Sequence, residues 1–78
     1  MKRQTDKKLK LCVIGAGNMA MEHIKVFKVC KEIEVAGIYS RTLYKAQDLA
    51  NNFNIPIVAK SIKELNDCTK ADIVIIAV

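Results

Sequence analysis

The stretch Gly15-Ala16-Gly17-Asn18-Met19-Ala20 limits the possible folds of this chain more than any other part of it. It directly follows a short apolar run, Leu9 to Ile14. It directly precedes a segment in which Ala20, Ile24 and Phe27 recur at the spacing of one helix face, with Cys30 beside them. A strand, a glycine turn and a helix in that order leave few options. The helix must fold back onto the strand, and a second, parallel strand then completes a βαβ unit.

The rest of the sequence continues the alternation. Residues 34–39 predict a second strand, and Ser40-Arg41-Thr42 a tight connection rich in helix-capping residues. A second helix is expected over residues 43–52, with Leu43, Ala46, Leu49, Ala50 and Phe53 on its apolar stripe and Asn51, Asn52 and Asn54 at its end. Residues 55–58 form a short strand. Pro56 has no N–H to donate, so this strand sits at the sheet edge or begins at the proline. Ser61-Ile62-Lys63-Glu64 is a capping box that opens a third helix to about residue 66. Residues 72–78 are a fourth strand, apolar on both faces. The expected fold class is α/β: half of a doubly wound parallel sheet, βαβαβαβ, in strand order 3-2-1-4. Right-handed crossovers place the first two helices on one face and the third on the other. In that order the fourth strand is an edge. A strand apolar on both faces normally lies inside a sheet, so the chain reads as one interrupted within a domain, prone to self-association through residues 72–78.

Charge and cysteine content narrow the function classes. The net charge is +5, which raises the question of nucleic acid. Five of the 13 basic residues (Lys2, Arg3, Lys7, Lys8 and Lys10) stand in the first ten positions against Asp6 alone, so the folded part is close to neutral. No aromatic side chain is interleaved with those charges, and no nucleic-acid partner is expected. The three cysteines, Cys12, Cys30 and Cys68, are widely spaced with no CxxC and one histidine in the chain, which argues against a disulfide framework and a zinc site. They read as small apolar fillers in a reducing compartment. The longest purely apolar stretches fall far short of the ~20 residues of a membrane helix. The expectation is a cytoplasmic protein with no membrane partner.

The glycine turn itself has a chemistry. Gly15 permits the sharp turn, Gly17 lets a pyrophosphate approach the backbone, and Ala20 allows close packing of helix on strand. The free N–H groups and positive dipole end of the helix then face the phosphates. The competing reading is a tight turn with no ligand. The strand-to-helix context favours a bound dinucleotide. About 20 residues beyond the glycines an acidic side chain would select NAD through the ribose 2′-hydroxyl. Here that position reads Tyr39-Ser40-Arg41-Thr42. A hydroxyl and a guanidinium suit a 2′-phosphate, so the cofactor is NADP or NAD with NADP favoured, and Lys45 adds charge one turn on. Against this, Ser40 or Thr42 merely caps the second helix. His23 lacks a partner and a pocket and reads as structural. No nucleophile–base pair and no paired carboxylate is recognisable, so no catalytic residue is assigned.

These residues resemble the N-terminal region of the glucose-fructose oxidoreductase / inositol dehydrogenase / rhizopine catabolism (Gfo/Idh/MocA) family. The resemblance runs from Val13-Ile14-Gly15-Ala16-Gly17-Asn18-Met19-Ala20 with His23, through Val35-Ala36-Gly37-Ile38-Tyr39-Ser40-Arg41, to Ala71-Asp72-Ile73-Val74-Ile75-Ile76-Ala77. It implies a two-domain oxidoreductase acting on a hydroxyl carbon of a sugar or cyclitol-like substrate. The cofactor contacts that carry over fall on Gly15, Gly17, Asn18, Met19, Ser40, Arg41 and Ala77. The family's Glu-Lys-Pro motif, which carries the catalytic lysine, and its substrate domain are not in this sequence. The implied organisation is a basic flexible leader, residues 1–8, and a partial NAD(P)-binding domain, residues 9–78, inactive alone. The alternative is a non-catalytic nucleotide-binding or regulatory module that docks through its last strand.

Overall fold

A computed structural model describes residues 8–77; residues 1–7 of the expected leader and Val78 lie outside the described residues. Seven elements alternate: β1 (Leu9–Ile14), α1 (Asn18–Lys28), β2 (Ile33–Tyr39), α2 (Leu43–Phe53), β3 (Ile57–Ala59), α3 (Ile62–Thr69) and β4 (Ile73–Ile76). The four strands form one parallel sheet in the order β3-β2-β1-β4. This is the expected half of a doubly wound α/β fold.

The sheet separates two apolar layers. Leu11, Val13, Val35 and Ile38 pack with Ala20 and Ile24 of α1 and Ala46, Leu49 and Ala50 of α2. Cys12 and Ala59 pack with Leu65 of α3 on the other side. Val35 and Ile38 share a face although three residues apart, because the β1–β2 register slips: Leu11 pairs with Val35, but Cys12 pairs with Gly37. The additional residue, Ala36, turns the strand by one side-chain position. Gly37 therefore faces α3. A Cβ there would lie 2.6 Å from Thr69 Cγ2 and 2.9 Å from Leu65 Cδ1, so α3 seats on a strand position without a side chain.

The helix ends depart from expectation in opposite directions. α1 stops at Lys28 instead of reaching residue 31, because the Val29 and Cys30 amides donate three residues back, to Val26 and Phe27, and tighten the last turn. α3 continues to Thr69, beyond the expected residue 66. Thr69 is buried one turn after Leu65, donates its hydroxyl to the Leu65 carbonyl at 2.7 Å, and extends the packing on Gly37. Lys70 in the left-handed region then ends the helix, as Asn54 ends α2. The capping box is present with one change. Ser61 Oγ accepts from the Glu64 amide at 3.0 Å, while Glu64 Oε1 accepts from the amide of Lys60, not of Ser61.

β3 begins directly after Pro56 and also lies at the sheet edge, so both alternatives left open by the missing N–H are met. β4 is shorter than expected. Asp72 precedes it as a clip, its amide donating to Lys10 O and its carboxylate accepting from Lys10 N. Ile73 and Ile75 pack on the α1/α2 side, whereas Val74 and Ile76 remain 48% and 67% exposed. Of the cysteines, only Cys12 is a core filler; Cys30 is half-buried and Cys68 exposed, and all three are free. Burial pushes the Cys12 thiol up, partly offset by its hydrogen bond with Thr69. Leu43, placed on the buried stripe of α2 by its spacing, is instead largely exposed in the first turn. Among the described residues no helix is long and apolar enough to cross a membrane.

Candidate functional site

Parallel strands of a doubly wound sheet bring their C-terminal ends together, and ligands of such sheets bind there. In this chain the ends of β1, β2 and β4 and the starts of α1, α2 and α3 surround a cavity of about 620 Å³. The glycine turn forms one wall, Tyr39 to Thr42 with Lys45 a second, and Ile62 and Ala77 close the sides.

The two glycines of the turn do different work. Gly15 has φ +123°, a region closed to ordinary side chains. Its amide donates to Tyr39 O at 2.7 Å, and the Ala77 amide donates to Ile14 O at 2.9 Å. A Cβ on Gly15 would run into the Ala77 carbonyl oxygen and come within 3.0 Å of its carbon. Gly15 is therefore held between the ends of β2 and β4, and its lack of a side chain serves packing. Gly17 is the N-cap of α1 at φ −89°, and a Cβ there would meet nothing within 4 Å. Its bareness leaves open space at the cavity wall.

The electrostatics of the cavity follow from its helix ends. The first N–H groups of any helix lack partners inside it. At α3, Ser61 and Glu64 answer this need. At α1, Gly17 offers no capping side chain and the first turn holds no acid. At α2, Thr42 occupies the N-cap position but makes no side-chain cap bond, and again no acid follows. Ser40 Oγ instead accepts from the Thr42 amide at 3.1 Å, ahead of the helix. Two uncapped, positively polarised helix ends thus border the cavity with Arg41 and Lys45, and no carboxylate lines it. The arrangement suits a ligand with separated negative groups.

Of the residues singled out from sequence, Gly15, Gly17, Ser40, Arg41 and Ala77 line the cavity. Asn18 and Met19 do not. Both lie in the first turn of α1 and are exposed, Met19 by 62%. Ile14, Ala16 and Ile62 line it without having been singled out. Ile62 had a usable signal, since it is the first residue inside the capping box, at the C-terminal side of the third strand. His23 is half-buried on α1 and does not line the cavity. Among the described residues no cluster of three or more His, Cys, Asp or Glu side chains is arranged to hold a metal.

Comparison with known proteins agrees with this fold. A sequence model of an oxidoreductase family with an NAD-binding Rossmann fold, Gfo/Idh/MocA, matches residues 9–78. No curated protein matches the chain. Among solved structures, GenD2 from gentamicin A biosynthesis, in complex with NAD, superposes with a TM-score of 0.80 at 22% identity, over 100% of this chain and 22% of that one. The myo-inositol dehydrogenase from Lactobacillus casei, in complex with NAD(H) and myo-inositol, gives 0.79 at 22% identity, over 88% of this chain and 21% of that one. An NAD-binding protein from Listeria innocua gives 0.78 at 25% identity, over 92% and 21%. The chain thus spans about a fifth of the length of the solved chains it matches.

Proposed function

This chain belongs to the Gfo/Idh/MocA oxidoreductase family with its NAD-binding Rossmann fold, and from that premise we propose that it is the dinucleotide-holding part of an oxidoreductase acting on a hydroxyl carbon of a sugar or cyclitol-like substrate. The observation that carries this reading is the open position at Gly17, on an uncapped helix end, in a cavity with two cations and no carboxylate. The amides of Asn18, Met19 and Ala20 would receive the pyrophosphate, with Gly17 leaving it room. Asn18 and Met19 thus keep a role through their backbone and not their side chains. The bound nicotinamide would supply hydride transfer. This chain's part is to bind and orient it. The catalytic groups for the substrate carbon are assigned to residues outside these 78, and the chain alone is inactive in this reading.

The cofactor in this reading is NADP in preference to NAD. Support comes from the side of the cavity at the end of β2. There Arg41, Lys45 and the uncapped start of α2 surround Ser40, where an NAD reader would carry an acid. Titrating the chain with NADP⁺ and NAD⁺ by calorimetry tests this. Arg41→Ala should weaken NADP⁺ by about tenfold, one charge-assisted contact, and leave NAD⁺ nearly unchanged. Equal affinity for both cofactors in the unaltered chain, or an equal loss for both in the variant, contradicts the preference.

The exposed Val74 and Ile76 on edge strand β4 support a second element of the reading, self-association of the chain through residues 72–78. A non-catalytic module docking through the same strand would present the same surface. A sharp monomer boundary in sedimentation velocity at high concentration would dismiss self-association. A cytoplasmic location completes the proposal, supported by three free cysteines in a small domain.

A further inference from the structure

At the opposite end of the sheet, where β1 and β2 begin, lies a second cavity of about 440 Å³. Its size falls within the ~300–1,000 Å³ range of small-molecule sites. Lys28 and Lys31, from the end of α1 and the turn after it, and Lys8, at the entry to β1, line it with the single carboxylate of Glu34. Cys30 and Pro56 also line it. Among the described residues the salt bridges are Lys25–Glu22 and Lys63–Asp67, and none involves these lysines. Compensation of the α1 dipole accounts for Lys28, which stands in its last turn. It does not account for Lys8 or Lys31, which lie outside the helix.

We propose that this cavity is a second anion site, which takes the phosphate of a small phosphorylated molecule independently of the dinucleotide. Lysine ammonium groups act as mobile point charges with three donors each, suited to phosphate oxygens approached from several sides. The two cavities sit at opposite ends of β1, about 16 Å apart at ~3.3 Å per residue, so one ligand phosphate does not serve both.

Cys30 is a built-in reporter of this cavity, and exposed Cys68 on α3 is its control. The experiment compares a Cys68→Ser chain with a Cys30→Ser chain; buried Cys12 remains in both. Each is labelled with a dianionic aromatic disulfide (dithiobis-nitrobenzoate) and a neutral one (dithiodipyridine). In both reactions the thiolate attacks one sulfur, a mixed disulfide forms, and the other half leaves as an aromatic thiolate. The anionic-to-neutral rate ratio should be about tenfold higher at Cys30 than at Cys68, the lower end of the enrichment expected in a charged cleft. Lys28→Gln with Lys31→Gln should abolish that difference. Millimolar inorganic pyrophosphate should slow anionic labelling of Cys30 about fivefold or more, and leave Cys68 unaffected. Equal ratios at the two cysteines overturn the proposal. So does a raised ratio without protection by pyrophosphate, since a field without a binding site gives that result.

Discussion

The two glycines of the turn separate stability from binding, and a pair of substitutions measures this. Gly15→Ala places a Cβ at φ +123°, a conformation costing of the order of 1–3 kcal/mol for a residue with a side chain. The new atom also meets the Ala77 carbonyl oxygen, so the end of β4 must move. That movement strains the Ala77-to-Ile14 hydrogen bond, worth about 0.5–1.5 kcal/mol. A loss of about 3 kcal/mol is expected. At roughly 0.05–0.15 kcal/mol per residue, a domain of this size holds only about 4–12 kcal/mol, so the variant should unfold at markedly lower denaturant. Gly17→Val places its side chain in open space at φ −89°, and should cost only about 1 kcal/mol, the disadvantage of Val against Gly at an N-cap. It should nevertheless remove dinucleotide binding, because the branched side chain occupies the approach to the α1 amides. Urea unfolding followed by circular dichroism gives the first quantity and calorimetry the second. A Gly15→Ala chain as stable as the parent refutes the packing role of Gly15. A Gly17→Val chain that binds with parental affinity removes Gly17 from the site.

Other regions give independent tests. Gly37→Ala drives a methyl group against Thr69 and Leu65 and should cost about 1–3 kcal/mol, read from the same urea curves; an unchanged midpoint would mean α3 does not seat on that strand position. Val74→Lys with Ile76→Lys should shift sedimentation toward monomer while leaving the helical signal intact, since both side chains are substantially exposed. Burial raises the Cys12 thiol above its unfolded value. Its contribution to stability is thus complete below the ordinary thiol range near 8.5 and is lost as pH rises through the raised value. Cys12→Ala should flatten the alkaline fall in stability, and an equally steep fall would contradict the assignment.

The strand order and the two-sided distribution of helices were legible because each rests on local pattern and chain handedness. Apolar runs end at Gly15 and before Ser40, Pro56 puts β3 at an edge or marks its start, and right-handed crossovers set the sides of the helices. Helix lengths were less legible. Thr69 reads as a polar terminator in isolation, yet it extends α3 because its hydroxyl is satisfied within the helix and its methyl packs on Gly37. The register slip at Ala36 has no local signature, being a consequence of how β1 and β2 meet. In the site, Gly15, Gly17, Ser40 and Arg41 were legible from their spacing along a βαβ unit. Ile62 was marked only by its place in the capping box, and it reaches the cavity through the fold of a separate helix. The division of labour between Gly15 and Gly17 depends on which glycine meets β4, and that contact spans the whole chain.

The central claim is that a dinucleotide lies with its pyrophosphate on the start of α1. Titrating the ¹⁵N-labelled chain with NADP⁺ and following its amide resonances tests it most directly. The account predicts the largest shifts at Gly17, Asn18, Met19 and Ala20, smaller ones at Ser40, Arg41 and Thr42, and none at Lys28 to Lys31 beyond those of added phosphate. Saturable shifts confined to other surfaces, with the amides of residues 17–20 unmoved at saturation, would contradict it.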